Sequence, residues 1–137
     1  MPNVIIAGLV AIVALFGGAA LLSNNKSGAD ATQKQTYQEV QSAVEKGAKL
    51  YDVRTPEEFA AGFFAEATNL PLQDIQQGKL PDTSKDQKIY VYCRSGNRSG
   101  QAKQILEDEG YTNVIDLGGL TNVQAMGGKF IEKEPTL

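Results

Sequence analysis

The segment Gln87-Lys-Ile-Tyr-Val-Tyr-Cys93, followed at once by Arg94-Ser-Gly-Asn-Arg-Ser-Gly100, constrains this chain more than any other. Its apolar positions are β-branched and aromatic and run without polar alternation, as in a strand buried on both faces. Such a strand belongs to a parallel sheet covered by helices. Parallel neighbours need long crossovers, so helices and strands must alternate along the chain.

The alternation is present. "TYQEVQSAVEKGAKL" opens with Thr36 and Glu39 at capping-box spacing, places Tyr37, Val40 and Val44 on one helical face and stops at Gly47. "KLYDVR" reads as a short buried strand. In "TPEEF", Thr55 is a cap, Pro56 stands at the first helical position and Glu58 is the reciprocal partner. "ATNLPL" is a brief extended stretch that Pro71 limits to an edge or a strand end. Beyond the basic loop, "SGQAKQILEDEGY" carries Ala102, Ile105 and Leu106 on one face and ends at Gly110. "TNVIDLGGL" supplies a further strand and "TNVQAMGG" a short last helix. The expected architecture is α/β: a parallel sheet flanked by helices on both faces, over residues 36–137.

Two segments precede that domain. Val4 to Leu22 is uncharged and almost wholly apolar, and as a helix it would span roughly 28 Å, close to the hydrocarbon thickness of a bilayer. Residues 1–22 are therefore expected to form a single-pass anchor with the lipid bilayer as partner. A cleaved signal peptide ending near Ala29-Asp-Ala31 is the alternative, although a basic leading region is missing. Lys26 and Lys34 follow the apolar run and no Lys or Arg precedes it. That asymmetry favours a cytoplasmic domain over a periplasmic or extracellular one. Residues 23–35 read as a flexible polar linker.

Composition removes whole classes of chemistry. The 137 residues contain no histidine, which excludes Ser-His-Asp triads, Cys-His pairs and most zinc sites. A net charge of −3 gives no basic surplus for nucleic acid. One cysteine, Cys93, allows neither an intramolecular disulfide nor a Cys-x-x-Cys pair.

Cys93 stands at the carboxyl end of the most apolar strand, where open parallel sheets bind ligands. Asp52 with Arg54, and Asp116 with Gly118 and Gly119, stand at the ends of other strands. A six-residue turn from Cys93 to Arg98 can curl its main-chain N–H groups towards the sulfur, and the following helix adds its positive end. Arg94 and Arg98 bring guanidinium charge. A negative sulfur is thereby favoured without a general base. Gly96 permits the backbone angle that a tight loop needs, and Asn97 tolerates a similar one. Ser95 and Ser99 either donate to a bound anion or cap the helix; Arg94 is either an anion contact or a solvated surface residue.

The run Cys93-Arg-Ser-Gly-Asn-Arg-Ser99 resembles the active-site loop of single-domain rhodaneses, sulfurtransferases that carry sulfane sulfur on a cysteine. Asp52 to Gly62, "DVRTPEEFAAG", with "ATNLPL" after it, is similar to a second signature of that family, and "GYTNVIDLGGL" to its last strand and turn. The resemblance implies a persulfide on Cys93, formed from thiosulfate or a related small anionic donor and discharged to cyanide, an external thiol or an acceptor protein. It implies a binding loop of Arg94, Ser95, Gly96, Asn97 and Arg98, supported by Ser99, Asp52 and Arg54, with no cofactor and no metal. Two departures stand out: Phe63 where the family often has histidine, and Glu66 where it has glycine. The last helix also lacks the tryptophans often found there.

A phosphatase or arsenate reductase of the same general fold places five residues between cysteine and arginine, a ring sized for a tetrahedral oxyanion. Here four lie between Cys93 and Arg98, which suits a single sulfur atom. A non-catalytic or relay module that binds or senses reactive sulfur at the membrane is the alternative from a different class.

Overall fold

A computed structural model describes residues 34–135. The expected anchor and most of the linker lie outside the described residues. Among those residues no helix is long and apolar enough to cross a membrane.

The chain alternates as its pattern predicts: α1 (Tyr37–Glu45), β1 (Lys49–Asp52), α2 (Pro56–Ala61), β2 (Gly62–Phe64), β3 (Thr68–Asn69), α3 (Leu72–Gln76), β4 (Ile89–Tyr92), α4 (Asn97–Asp108), β5 (Val114–Gly118), α5 (Leu120–Ala125) and β6 (Phe130–Glu132). Strands β3, β1, β4 and β5 form a sheet in that order, with every pairing parallel. All four residues of β4 are buried, as its unbroken apolar run requires.

Alternate residues of β4 feed two cores. Ile89, Val91 and Cys93 join Leu72 and Ile75 of α3 and Ala102 and Leu106 of α4 on one face. Tyr90 and Tyr92 join Tyr37 and Val40 of α1 and Val123 of α5 on the other. Thr36 and Thr55 both form complete capping boxes, with Glu39 and Glu58 respectively. The linker is already engaged at its end, where Gln35 Nε2 donates to the Tyr90 hydroxyl at 3.1 Å.

Three elements add to the sequence expectation. Helix α3 follows β3 directly. Strands β2 and β6 form a separate antiparallel ribbon in the register Phe63↔Ile131 and Phe64↔Phe130. At the turn after β2, where the family pattern has glycine, Glu66 takes φ 74, the one positive φ at a non-glycine among the described residues. Phe63, in the place of histidine, stacks on Phe59 with ring centroids 4.6 Å apart.

Candidate active site

Connections from β1 run towards β3, and those from β4 run the opposite way towards β5. Strands β1 and β4 are neighbours, so their carboxyl ends flank a crevice at the point where the winding reverses. Asp52 ends β1, and Cys93 follows directly on β4.

The loop after Cys93 is pinned along its first half to the end of β5 and the residues after it. Cys93 N–H donates to Gly118 O at 3.0 Å, and Leu120 N–H donates to Arg94 O at 3.1 Å. Ser95 forms an isolated antiparallel bridge with Gly119. A Cβ on Gly119 would lie 2.8 Å from Arg94 O and 2.9 Å from Ser95 Cα, so only glycine lets the loop lie this close to β5. Gly96, immediately before α4, adopts φ 100, a region closed to most side chains. That turn brings its N–H to 2.9 Å from Cys93 Sγ.

Cys93 is fully buried. Its thiol donates to Ser99 Oγ at 3.5 Å, and the Ser99 hydroxyl donates to Gly96 O at 3.1 Å. Ser99 is itself fully buried. The hydroxyl therefore sits between the sulfur and a main-chain oxygen, and rotation of one O–H bond would turn it from acceptor to donor towards the sulfur. Of the loop's main-chain N–H groups, that of Gly96 is the one at hydrogen-bond distance from Sγ. The first turn of α4 lies directly behind it, with N–H groups that have no partner within the helix.

The two arginines of the loop part company. Arg94 is exposed. Arg98 turns to α2 and grips Glu58 through both terminal nitrogens, Nη1 to Oε2 at 2.6 Å and Nη2 to Oε1 at 2.9 Å. Glu58 Oε2 also accepts from Thr55 N–H and Thr55 Oγ1, each at 3.1 Å. Arg98 first, and the Thr55 donors after it, hold the Glu58 carboxyl down at about 2. Ser95 and Asn97 are exposed. Asn97 begins α4, so it does not adopt the left-handed angle that Gly96 takes.

Asp52 and Arg54 lie beneath this layer, 0% and 4% exposed. Arg54 Nη2 reaches Asp52 Oδ2 at 2.6 Å and Gly62 O at 2.6 Å, and Arg54 Nε lies 2.9 Å from Asp52 Oδ1. The pair ties the end of β1 to the start of the ribbon. Burial, and then the Asp52 carboxylate, push the Tyr92 phenol far up, which keeps it protonated. The Tyr92 phenol oxygen accepts from Phe64 N–H at 3.2 Å. Asp116 accepts from Gly118 N–H at 2.8 Å and so braces the turn on which the loop rests.

The partner of Arg98 escaped the sequence reading. Glu58 stands forty residues away and already has a role as a helix cap. Its one advance signal is a second carboxylate oxygen that a capping box does not need.

Residues 36–126 match the rhodanese-like domain family. The chain is 40% identical over 75 residues to a thiosulfate sulfurtransferase, PspE, of Escherichia coli, covering 53% of this chain and 70% of that one. It is 42% identical over 72 residues to a sulfurtransferase of Allochromatium vinosum, covering 51% and 64%. Among solved structures, an E. coli rhodanese with anions superposes with a TM-score of 0.53 at 32% identity, over 64% of this chain and all of that one.

Proposed function

The chain belongs to the rhodanese-like domain family, and on that footing we propose that it is a sulfurtransferase carrying sulfane sulfur on Cys93. The observation that bears most weight is the Gly96 N–H donating to Cys93 Sγ at 2.9 Å from a loop at the carboxyl end of the central strand. A donor aimed at the sulfur stabilises negative charge there, as both the attacking thiolate and the persulfide product require.

The exchange has two halves. Cys93 thiolate attacks the outer sulfur of thiosulfate or a related anionic donor. The donor's S–S bond breaks, sulfite leaves with the bonding pair, and Cys93 holds a persulfide anion. An acceptor thiolate then attacks the terminal sulfur and Cys93 Sγ departs as thiolate; with cyanide as acceptor the product is thiocyanate. Arg94 meets the incoming anion at the surface, Arg98 and Glu58 anchor the end of the loop, and Ser99 turns its hydroxyl to the charged sulfur. Cys93 is buried, so the loop must yield as the donor enters.

In the same reading, Val4–Leu22 and the linker of residues 23–35 hold the domain at a lipid bilayer on its cytoplasmic side. Protease protection of a tag at the carboxyl terminus in intact cells tests that placement. Turnover of thiosulfate with cyanide by the full chain tests the activity. It should be abolished in Cys93→Ser with the fold retained, and turnover that survives this substitution would remove Cys93 from the mechanism.

A further inference from the structure

A recess of about 350 Å³ opens beside the Cys93 loop, lined among others by Arg54, Glu58, Arg94, Phe130, Glu132 and Lys133. Its cationic side chains are not equally available. Arg54 is committed to Asp52, while Arg98, which lines the neighbouring groove rather than this recess, is committed to Glu58. Arg94 and Lys133 remain exposed, with the Lys133 ammonium 5.0 Å above the Phe63 ring. Glu132 is exposed on the last strand.

Glu58 occupies an unusual position for a carboxylate in a site meant for anions. Two donors from Arg98 and two from Thr55 fix it in place. It presents to the guanidinium the same pair of oxygens that a sulfate or thiosulfate would present. We propose that Glu58 is a resident stand-in for substrate charge, which sets the site to favour singly charged sulfane donors over doubly charged oxyanions. The inference rests on the sulfur-transfer reading for the identity of the donor, and it ranks monoanions such as thiosulfonates, persulfides and polysulfide monoanions above the dianion thiosulfate, which remains a usable donor. Paired with Arg98, Glu58 cancels the guanidinium charge that would otherwise draw anions, and the attraction lost scales with the charge of the ligand, so a dianion loses twice as much free energy as a monoanion. Taking a separation of about 8 Å and a dielectric between that of a protein surface and water, one unit of charge changes affinity about fivefold for a monoanion and ~25-fold for a dianion.

Glu58→Gln is the matched perturbation, because glutamine still serves in a capping box. Two readouts apply: the sulfate dissociation constant by calorimetry, and the ratio of kcat/KM for methanethiosulfonate to that for thiosulfate. These donors share a transferable outer sulfur and differ by one charge. In Glu58→Gln the sulfate affinity should rise ~25-fold, and the ratio should shift about fivefold towards thiosulfate. Glu57→Gln removes the same formal charge one residue away, in a groove that Arg98 also lines, without freeing Arg98 from its partner, and should change both readouts far less than Glu58→Gln does. Adding Arg98→Gln to Glu58→Gln should cancel the gain. Unchanged sulfate affinity in Glu58→Gln, or a gain that survives loss of Arg98, overturns the proposal. If the parent protein takes sulfur from neither donor, the sulfur-transfer reading fails, and sulfate binding still decides the role of Glu58.

Discussion

Replacing Arg98 by glutamine isolates the ion pair that closes the site, and its cost can be worked from Glu58. The carboxyl is held at about 2 against an ordinary 4.5, a difference equivalent to about 3.4 kcal/mol if all of it stabilised the fold. Two corrections reduce this. The partners are 30% and 26% exposed, so solvent screens them, and part of the depression belongs to the Thr55 donors, which the substitution leaves intact. A loss of about 1–2 kcal/mol at pH 7 is expected for Arg98→Gln. The sign of the pH dependence follows from a carboxyl lowered in the folded state: its stabilisation is complete above the unfolded value of 4.5 and fades as pH falls towards 2. The gap between parent and variant should therefore shrink by about a third between pH 7 and about pH 3, most of the remainder going by about pH 2. Urea unfolding at these pH values measures it directly. A gap that stays constant, or is absent at pH 7, would refute the argument that Glu58 draws its depression from Arg98.

Asp52→Ala strands the Arg54 guanidinium in the interior and should destabilise the domain by about 3–5 kcal/mol in the same unfolding experiment. Glu66→Gly relieves a left-handed angle at a side-chain-bearing residue and should stabilise by roughly 0.5–1 kcal/mol, read as a higher thermal midpoint. Gly119→Ala drives a methyl group into Arg94 O and Ser95 Cα; sulfur transfer should fall at least about tenfold, beyond any loss attributable to unfolding at the assay temperature.

Much of this architecture is written locally. The two capping boxes follow from Thr36 with Glu39 and Thr55 with Glu58, and the burial of β4 follows from an apolar run that lacks a polar face. The position of Cys93 past that strand follows from the rule for open parallel sheets. What is not written locally is pairing at a distance. Phe63-Phe64 and Phe130-Ile131 are too short to show an alternation, and they become strands because each is the other's partner. Helix α3, at five residues, is similarly too short for a period to emerge. Arg98 illustrates the same limit at the site: its charge marks it as an anion contact, and only the fold brings Glu58 to it. The loop residues are legible because a tight turn demands them, Gly96 most of all.

The central claim is that Cys93 accepts and holds one sulfur atom. Intact-mass and peptide-mass analysis of the full chain after thiosulfate, before any acceptor is added, tests it most directly. The account predicts a gain of a single sulfur on the peptide containing Cys93, reversed by cyanide and absent in Cys93→Ser. An unmodified Cys93 in folded protein, or a sulfur that cyanide does not remove, would contradict it.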